Sequence, residues 1–400
     1  MNEQTKDESV RRHAKEELDN ARRELENIDR SILELIKQRS ASYESIWQAK
    51  RVLDLPILDA GVEQKKLVDL AALAEDDIVA RSVTAALEGV MRVSRMSQYQ
   101  RHYKNAVSWE PGDTIQTAAR QLPKLKVVAT QGTTESYSSR AASYLFPNAK
   151  IMPARTFEAA CREVAEEIVP VAVLPLENST AGTVEEVYRL IDQLNLYIIG
   201  TVDVPIRHCL CAIPGTKLSD IRTIISHPQA LSQCSLFIQG MGWQVREVNN
   251  TAYGARDVAE INSKTVAALA SPAAAAASGL EVLQAQMSNV VVNTTRFAAL
   301  ASKPIIEPDA NIVSLIVRLP HHAGSLANML NIFSDYGLNL LKIKSSPVPD
   351  VPWEYNFHLD LEGRFDDQKT LPVLFELMDE LKRLRFVGWY KNRSYVEKEN

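Results

Sequence analysis

The 400-residue chain has few of the residues that build metal and disulfide sites. Its four cysteines show no CxxC spacing and its seven histidines form no HxxxH pair, which argues against a zinc site or a disulfide framework. No apolar run approaches the ~20 residues of a membrane-spanning helix, and the N-terminus is too polar for a signal peptide. The net charge of -5 argues against nucleic acid or an anionic membrane as the main partner. The composition predicts a cytoplasmic protein without a metal or other cofactor.

The length and the residue patterns predict a multidomain protein. Residues 14–104 carry apolar residues at helical spacing, which predicts an all-α domain whose first helix is unbroken until Pro56. The polar residues 105–123 are typical of a linker. Residues 124–303 alternate short apolar strands with helices, so an α/β domain is expected. Residues 311–394 follow the order βαββαβ, which predicts an α+β, ferredoxin-like domain.

Four polar side chains occupy apolar positions of the predicted N-terminal helices. Arg39 and Lys50 lie eleven residues apart, close to three helical turns, and Ser94 and Gln98 share a face at i and i+4. Buried cations are costly unless they are paired. The pattern therefore indicates either a bound anion or an internal salt bridge with one of three acidic residues, Glu34, Glu44 or Glu63.

The spacing of seven residues resembles the active site of the all-α chorismate mutase family: Arg22, Arg39, Lys50, Asp59, Glu63, Ser94 and Gln98. The resemblance implies that chorismate is rearranged to prephenate. It also implies that Arg22 and Arg39 bind the carboxylates, while Lys50 and Gln98 donate hydrogen bonds to the ether oxygen as its bond breaks. A pericyclic step needs no nucleophile, only a held conformer and fixed donors.

The remaining matched residues are expected to orient the substrate. Glu63 with Asp59 would position the ring hydroxyl, and Ser94 would bind a carboxylate. The family usually has Arg immediately before the glutamate, where this chain has Val62, and a weaker grip on the substrate is expected.

The distance between the two arginines predicts the oligomeric state. Arg22 and Arg39 are seventeen residues apart, about 25 Å along a helix that rises ~1.5 Å per residue. Two side chains cannot close that gap around one small diacid. Arg22 is therefore expected to serve the site of a neighbouring protomer, so the active unit is a homodimer or a higher oligomer.

Three segments of the α/β region lie at strand ends and helix starts, namely 174–183, 226–234 and 293–297. In this order they resemble the prephenate dehydratase family, and the resemblance covers residues 124–303. It implies two lobes like those of a periplasmic binding protein, with prephenate in the cleft between them. It also implies a catalytic set with Thr295 as the main group, supported by Glu177, Asn178, Ser226, Gln233 and Phe297.

The expected reaction releases carbon dioxide and water and forms phenylpyruvate. Thr295 would donate a hydrogen bond or a proton to the leaving hydroxide, with Glu177 as a possible proton source. Arg296 would either bind a carboxylate or brace the cleft. The loop with Ser179 and Thr180, before a helix start, is expected to bind the anionic substrate.

Two further positions of this region bear on the site. Glu135 stands where relatives usually have glycine, and a carboxylate there is expected to repel a diacid. His208 matches a family histidine, for which a core or hinge role is favoured over catalysis.

The last segment resembles an ACT domain, a regulatory module that binds a small molecule. Its first strand-to-helix turn contains His322, Gly324, Ser325 and Leu326, where the family binds an amino acid, and in dehydratases this effector is L-phenylalanine. The second family motif, normally Glu-Ser-Arg-Pro, is altered here to Lys344-Ser345-Ser346-Pro347. A dimerisation module without a ligand is the alternative.

Three hypotheses follow for the whole chain. The first is a bifunctional enzyme of phenylalanine biosynthesis, a chorismate mutase (an isomerase) fused to a prephenate dehydratase (a lyase). The second keeps the architecture but acts on arogenate, or decarboxylates without loss of the hydroxyl. The third is a binding or regulatory protein without turnover.

Overall fold

The computed structural model describes residues 3–53, 55–106, 109–290, 292–321, 323–348, 351–365 and 367–396. It divides into two compact units, one of residues 1–107 with 372–380 and one of residues 108–371 with 381–400. Within the described ranges, no helix is both long and apolar enough to cross a bilayer.

The first unit is helical, as predicted. Its three long helices are α1 (Glu3–Val52), α2 (Ala60–Ala71) and α3 (Asp77–His102). The side chain of Asp76 caps α3 by accepting hydrogen bonds from the amides of Ile78 and Val79. Helix α1 carries a stripe of exposed apolar side chains. The exposed fraction of each lies between about a third and two thirds: Leu18, Leu25, Ile28, Ile32, Leu35, Ile36 and Ile46.

The predicted linker is partly helical, which corrects the sequence-based expectation for residues 105–123. Helix α4 (Glu110–Thr117) begins with Pro111 in its first turn, a position that tolerates a residue without an N–H. Ala119 then forms a parallel bridge with Ile305. The polar composition concealed this helix because its buried side is only Pro111, Gly112 and Ile115.

The first α/β lobe is built on a seven-stranded sheet of order β16-β5-β11-β3-β1-β2, with β4 paired to β3. Strand β11 lies antiparallel between β3 and β5. The elements of this lobe are β1 (Val127–Gln131), α5 (Tyr137–Leu145), β2 (Lys150–Ala154), α6 (Phe157–Ala165), β3 (Ala172–Asn178), β4 (Gly182–Thr183), α7 (Glu185–Gln193), β5 (Tyr197–Pro205) and, returning later, β11 (Thr294–Ala301).

The second lobe is inserted between β5 and β11. Its five-stranded sheet has the order β10-β6-β9-β7-β8, with β7 parallel to both neighbours. Its elements are β6 (Cys209–Ala212), β7 (Thr223–Ser226), α8 (Pro228–Gln233), α9 (Ser235–Met241), β8 (Gln244–Glu247), α10 (Thr251–Ile261), β9 (Val266–Ala270), α11 (Pro272–Ala277) and β10 (Glu281–Gln284). Two crossings of the chain between the lobes create a cleft.

The C-terminal segment has the predicted order βαββαβ. Its strands form an antiparallel sheet of order β13-β14-β12-β15, and Gly324 and Gly337, both left-handed, bound its first helix. Its elements are β12 (Ile312–Arg318), α12 (Ser325–Tyr336), β13 (Asn339–Pro347), β14 (Tyr355–Glu362), α13 (Thr370–Glu380) and β15 (Arg383–Tyr390), followed by a short β16 (Asn392–Ser394).

The C-terminal sheet is joined closely to the first lobe. Strand β16 pairs in parallel with β5 and extends the first sheet. A Cβ atom at Gly388 would lie 2.1 Å from the carbonyl oxygen of Ile198, so β15 can approach β5 only with glycine there. The sequence pattern did not predict β16, since three residues after a strand carry no periodicity.

Candidate active sites

In the helical unit, a cavity of about 470 Å³ lies between α1 and α3. Ser94 and Gln98 line it, together with Tyr43 and Trp47 from α1. The amide of Gln98 donates to the carbonyl of Ser94 (3.2 Å), but its buried Oε1 has no partner. A buried polar atom without a partner is costly, so this amide is poised for a ligand.

Arg39 and Lys50 of α1 form no salt bridge with the three acidic residues considered above, Glu34, Glu44 and Glu63. Arg39 stacks over the ring of Tyr43 at 5.2 Å, and its buried Nε has no partner. Lys50 donates to the backbone carbonyl of Ile57 (2.7 Å). In the described part of the chain, the three acidic residues pair with other cations, in the pairs Glu34–Lys37, Glu44–Arg101 and Glu63–Arg95. The internal salt bridge considered above is therefore not formed, and Arg39 and Lys50 can receive an anion.

Of the seven matched residues, Ser94 and Gln98 line this cavity, whereas Arg39, Lys50 and Glu63 do not line it. Arg22 lies on the exposed part of α1, with Nη1 3.8 Å from Asp19. Asp59 caps α2 by accepting a hydrogen bond from the amide of Val62 (3.0 Å). Val62 is exposed, and its aliphatic side chain supplies no cation to the site.

Glu63 is held by Arg95, a residue that sequence reasoning missed. The guanidinium of Arg95 binds Glu63 Oε2 (2.5 Å) and Glu380 Oε1 (2.7 Å), and its side chain is only 13% exposed. Burial opposes its charge, but the two carboxylates outweigh burial and raise the pKa of Arg95. Beside it, the hydroxyl of Tyr99 donates to Asp379 (2.5 Å).

Replacing Arg95 with methionine should therefore destabilise the helical unit by about 3 kcal/mol, because a buried carboxylate would lose its cation. Urea unfolding followed by circular dichroism measures this change. Lys37→Met is the matched control: its pair with Glu34 is exposed on both sides, and such pairs contribute under about 1 kcal/mol. Equal shifts for both variants would contradict the buried role of Arg95.

In the second unit, the cleft between the lobes has a volume of about 360 Å³. Asn178, Thr295 and Phe297 line it from the first sheet, and Gln233 lines it from α8. The described residues that line it include no Lys, Arg, Asp or Glu. The starts of α5 and α10 reach it through their caps, Ser136 and Asn250. Helix N-termini favour anions, so the cleft can hold a carboxylate without a cation.

A hydrogen-bond network orders the cleft around Thr295. The amide of Asn178 donates to Thr295 Oγ1 (2.9 Å) and to Asn293 Oδ1 (2.7 Å). Gln233 crosses from the second lobe, since its amide donates to Thr180 Oγ1 (2.5 Å) and its oxygen accepts from Asn293 (2.9 Å). Thr295 thus accepts a bond and keeps its own hydroxyl hydrogen for a ligand. Sequence reasoning missed Asn293, although it directly precedes the Thr294-Thr295 pair.

His208 also lines the cleft and is buried, 3.1 Å from Gln233 Oε1 through its Nε2. Burial lowers the pKa of His208, and the hydrogen bond with Gln233 opposes this shift. The ring therefore stays neutral near pH 7. Ser179 lies at the rim and accepts a bond from the amide of Thr294 (3.0 Å).

Three predicted site residues face away from the cleft. Glu177 directly precedes Asn178, and Arg296 directly follows Thr295. Because successive residues of a strand point to opposite sides of the sheet, Glu177 and Arg296 point away from the cleft. Glu177 binds Lys342 (2.7 Å), and Arg296 forms two bonds to Asp203 (2.8 and 2.9 Å). Ser226 is fully buried and donates to the carbonyl of Leu269 (2.6 Å). The expectations that Glu177 supplies a proton, that Arg296 binds a carboxylate and that Ser226 assists catalysis are therefore wrong for this geometry, although the bracing role of Arg296 agrees with it.

Glu135 also differs from expectation. It lines a separate groove with Arg256, and its hydrogen bond with Thr134 lowers the pKa of its carboxyl group. The turn uses Gly132 (φ 99°) for its left-handed residue. A negative charge at Glu135 therefore does not point into the cleft.

The predicted regulatory turn is partly described. Gly324 caps α12 in the left-handed region, Ser325 is buried and Leu326 is 39% exposed. His322 lies outside the described residues. In the altered second motif, Lys344 binds Glu185 (3.0 Å) and the hydroxyl of Ser346 lies 3.0 Å from His358 Nε2.

The cavity of the helical unit, with the unpartnered amide oxygen of Gln98, and the cleft between the two lobes of the second unit describe an enzyme with two separate candidate sites. Two family models match the chain: chorismate mutase type II over residues 21–99 and prephenate dehydratase over residues 128–305. The bifunctional chorismate mutase/prephenate dehydratase of Enterobacter agglomerans is 30% identical over 93% of this chain and 95% of its own length. The chain belongs to this bifunctional chorismate mutase/prephenate dehydratase family, with both activities of phenylalanine biosynthesis.

Two further relatives match about two thirds of the chain. Arogenate dehydratase 1 of Petunia hybrida is 36% identical and covers 66% of this chain and 66% of its own length. The crystal structure of prephenate dehydratase from Arthrobacter aurescens in complex with L-Phe has a TM-score of 0.60 and 28% identity, covering 66% of this chain and 90% of that one.

Proposed function

We propose that chorismate binds at the α1–α3 cavity of a dimer, with Lys50 and Gln98 as the donors to its ether oxygen. The buried Nε of Arg39, a donor without a protein partner, supports this proposal. For Gln98 the unpartnered atom is the acceptor Oε1, so its amide would turn by 180° to direct Nε2 at the ether oxygen. Arg39 binds a carboxylate of the substrate with the help of Ser94. Glu63 orients the ring hydroxyl together with Asp59, and Arg95 holds Glu63 in place. Arg22 completes the site of a second copy, whose α1 would cover the exposed apolar stripe.

We propose further that prephenate binds in the cleft between the two lobes, an arrangement like that of a periplasmic binding protein. The amide groups at the starts of α5 and α10 bind its carboxylates, and Ser179, Thr180 and Gln233 close the site. The hydroxyl of Thr295 donates a proton to the leaving hydroxyl group as the C–CO₂ bond breaks, and the threonine oxygen then regains a proton from water. The electron pair of that bond aromatises the ring, and water and carbon dioxide leave. The observation that carries this assignment is the bond from Asn178 to Thr295 in an uncharged cleft.

A stepwise assay tests both assignments. Purified protein receives chorismate, then prephenate in a separate reaction, and phenylpyruvate is followed by its absorbance in alkali. The proposal expects phenylpyruvate from both substrates. Prephenate that accumulates from chorismate without further reaction would leave only the mutase, and no consumption of either substrate would support a binding protein without turnover.

Arogenate is the second candidate substrate for the cleft, because the petunia relative is named an arogenate dehydratase. Arogenate carries an amino group where prephenate has a keto oxygen. The uncharged lining offers no carboxylate to an ammonium group, and a fused mutase produces prephenate. We therefore expect kcat/KM for prephenate to exceed that for arogenate by at least about tenfold, and the reverse ratio would reassign the substrate.

The C-terminal βαββαβ segment is proposed to be an ACT domain that binds L-phenylalanine at the turn of Gly324, Ser325 and Leu326. The Arthrobacter aurescens dehydratase in complex with L-Phe supports this ligand. Lys344, the first residue of the altered second motif, forms an ion pair with Glu185. The segments 14–104, 124–303 and 311–394 are proposed as the three domains, and the biosynthetic bifunctional relatives support a cytoplasmic location.

Calorimetric titration measures whether L-phenylalanine binds to the proposed effector site. Heat of binding together with reduced dehydratase activity is the expected result, and L-alanine is the control ligand. Binding that is absent up to millimolar phenylalanine would leave the segment as a dimerisation module.

A further inference from the structure

The last residues of β3 have two faces with different partners. Asn178 turns toward the cleft and binds Thr295, while Glu177 turns to the rear of the sheet. Behind the sheet, Lys342 of β13 donates from Nζ to Glu177 Oε2 (2.7 Å) and to the hydroxyl of Tyr188 (2.9 Å). The same Nζ lies 4.8 Å from the centre of the Tyr188 ring.

The contact of Lys342 differs from an ordinary surface ion pair. Its side chain is only 13% exposed, and both partners come from the dehydratase lobe: Glu177 from β3 and Tyr188 from α7. A desolvated ammonium group requires a carboxylate, and the aromatic face adds attraction. The neighbouring cation of the same strand, Lys344, pairs with a Glu185 that is 71% exposed. Lys342 is therefore built into the rear of the dehydratase sheet.

The end of β3 is paired within the sheet on both sides. Glu177 pairs with Arg296 of β11 and with Thr183 of β4, and Asn178 pairs with Thr295 and with Gly182. A bulge between Arg296 and Phe297 interrupts the β11 ladder next to these pairs. Behind the sheet, the side chain of Glu177 ties the backbone that carries Asn178 to Lys342.

We propose that Lys342 is a positioning residue of the dehydratase: it fixes Glu177, and through the shared backbone it holds Asn178 at hydrogen-bond distance from Thr295. This inference rests on the proposed role of Thr295. A misplacement of about 1 Å at a reacting group can reduce turnover by up to ~100-fold. The C-terminal segment would then support dehydratase turnover even without an effector.

The test compares full-length variants by steady-state kinetics with prephenate. Lys342→Met keeps the length of the side chain and removes its charge. We expect kcat to fall about ten- to a hundredfold with KM changed less than about threefold, because the cleft that binds prephenate is untouched. Lys342→Arg keeps the charge and should recover at least about a third of kcat. Glu177→Gln, which preserves shape, should lower kcat in the same way, and the double variant should be no worse than the poorer single one.

Two controls separate positioning from general damage. Chorismate mutase activity of each preparation reports on folding, and Lys303→Met removes an exposed pair with Glu167 elsewhere on the dehydratase lobe. Unchanged kcat in Lys342→Met and Glu177→Gln would overturn the proposal, as would a parallel loss of mutase activity or of the arginine rescue. Should Thr295→Ala keep full dehydratase activity, the proposed site itself would fail. If Thr295→Ala is inactive while Lys342→Met keeps full activity, the positioning role of Lys342 is refuted and the proposed role of Thr295 stands.

Discussion

Replacing Thr295 with alanine is expected to lower dehydratase kcat about a thousandfold, within the range for loss of a general acid, and to leave the mutase rate unchanged. Thr295 is the hydroxyl that lines the cleft while accepting a bond from Asn178 (2.9 Å). No described Lys, Arg, Asp or Glu lines the cleft, and burial lowers the pKa of both histidines that line it, His208 and His227. Without the threonine hydroxyl, the leaving hydroxyl group loses the proton donor that Asn178 holds in place.

Thr294→Ala is the matched control. It removes the same hydroxyl one residue earlier on β11, where the side chain does not line the cleft. Its kcat should stay within about twofold of the unaltered protein. Asn178→Ala should lower kcat in the same direction as Thr295→Ala, and the double variant should lose little more, because both residues act through one bond. Formation of phenylpyruvate by Thr295→Ala at full rate would refute the assignment.

The misassigned dehydratase residues show what a sequence motif conceals. Asn178 and Glu177 are adjacent in one motif, yet only Asn178 reaches the cleft. A strand alternates its faces, so a motif cannot indicate which of two neighbours meets the substrate unless the register is known. The bulge after Arg296 shifts that alternation further. Ser226 was misplaced for a related reason, since it ends a buried strand and its hydroxyl bonds to the next strand.

Local patterns predicted regular elements better than contacts between distant segments. Helix α12 lies in the predicted βαββαβ order, and glycine flanks it on both sides. Thr183 and Glu186 have the spacing of a capping box, but they form none, since α7 begins at Glu185 and Thr183 pairs with β3. Arg95, Lys342 and β16 act across long stretches of chain, and no periodicity or spacing predicts such partners. Helical spacing correctly placed Ser94 and Gln98 at one cavity, and the motif resemblance placed Asn178, Gln233, Thr295 and Phe297 at one cleft.

Mixing two inactive mutase variants should restore about a quarter of the mutase activity, which provides the sharpest test of the proposed dimer. Helix α1 is continuous from Glu3 to Val52, so Arg22 and Arg39 are separated by about 25 Å on one rigid helix. Arg22 is 66% exposed with Asp19 as its neighbour. If Arg22 enters the site of the other copy, then Arg22→Ala and Lys50→Ala each inactivate both sites of their own homodimer.

In a mixed dimer the two defects fall in the same site. The other site then combines Arg22 from the Lys50→Ala chain with Lys50 from the Arg22→Ala chain, and is intact. Equal amounts, unfolded together and refolded, yield half mixed dimers with one working site of two, hence about a quarter of full activity. Arg39→Ala mixed with Lys50→Ala is the control, because both residues belong to one protomer's site and every mixed site stays defective. No recovery in the first mixture would refute the proposal that Arg22 completes the site of a second copy.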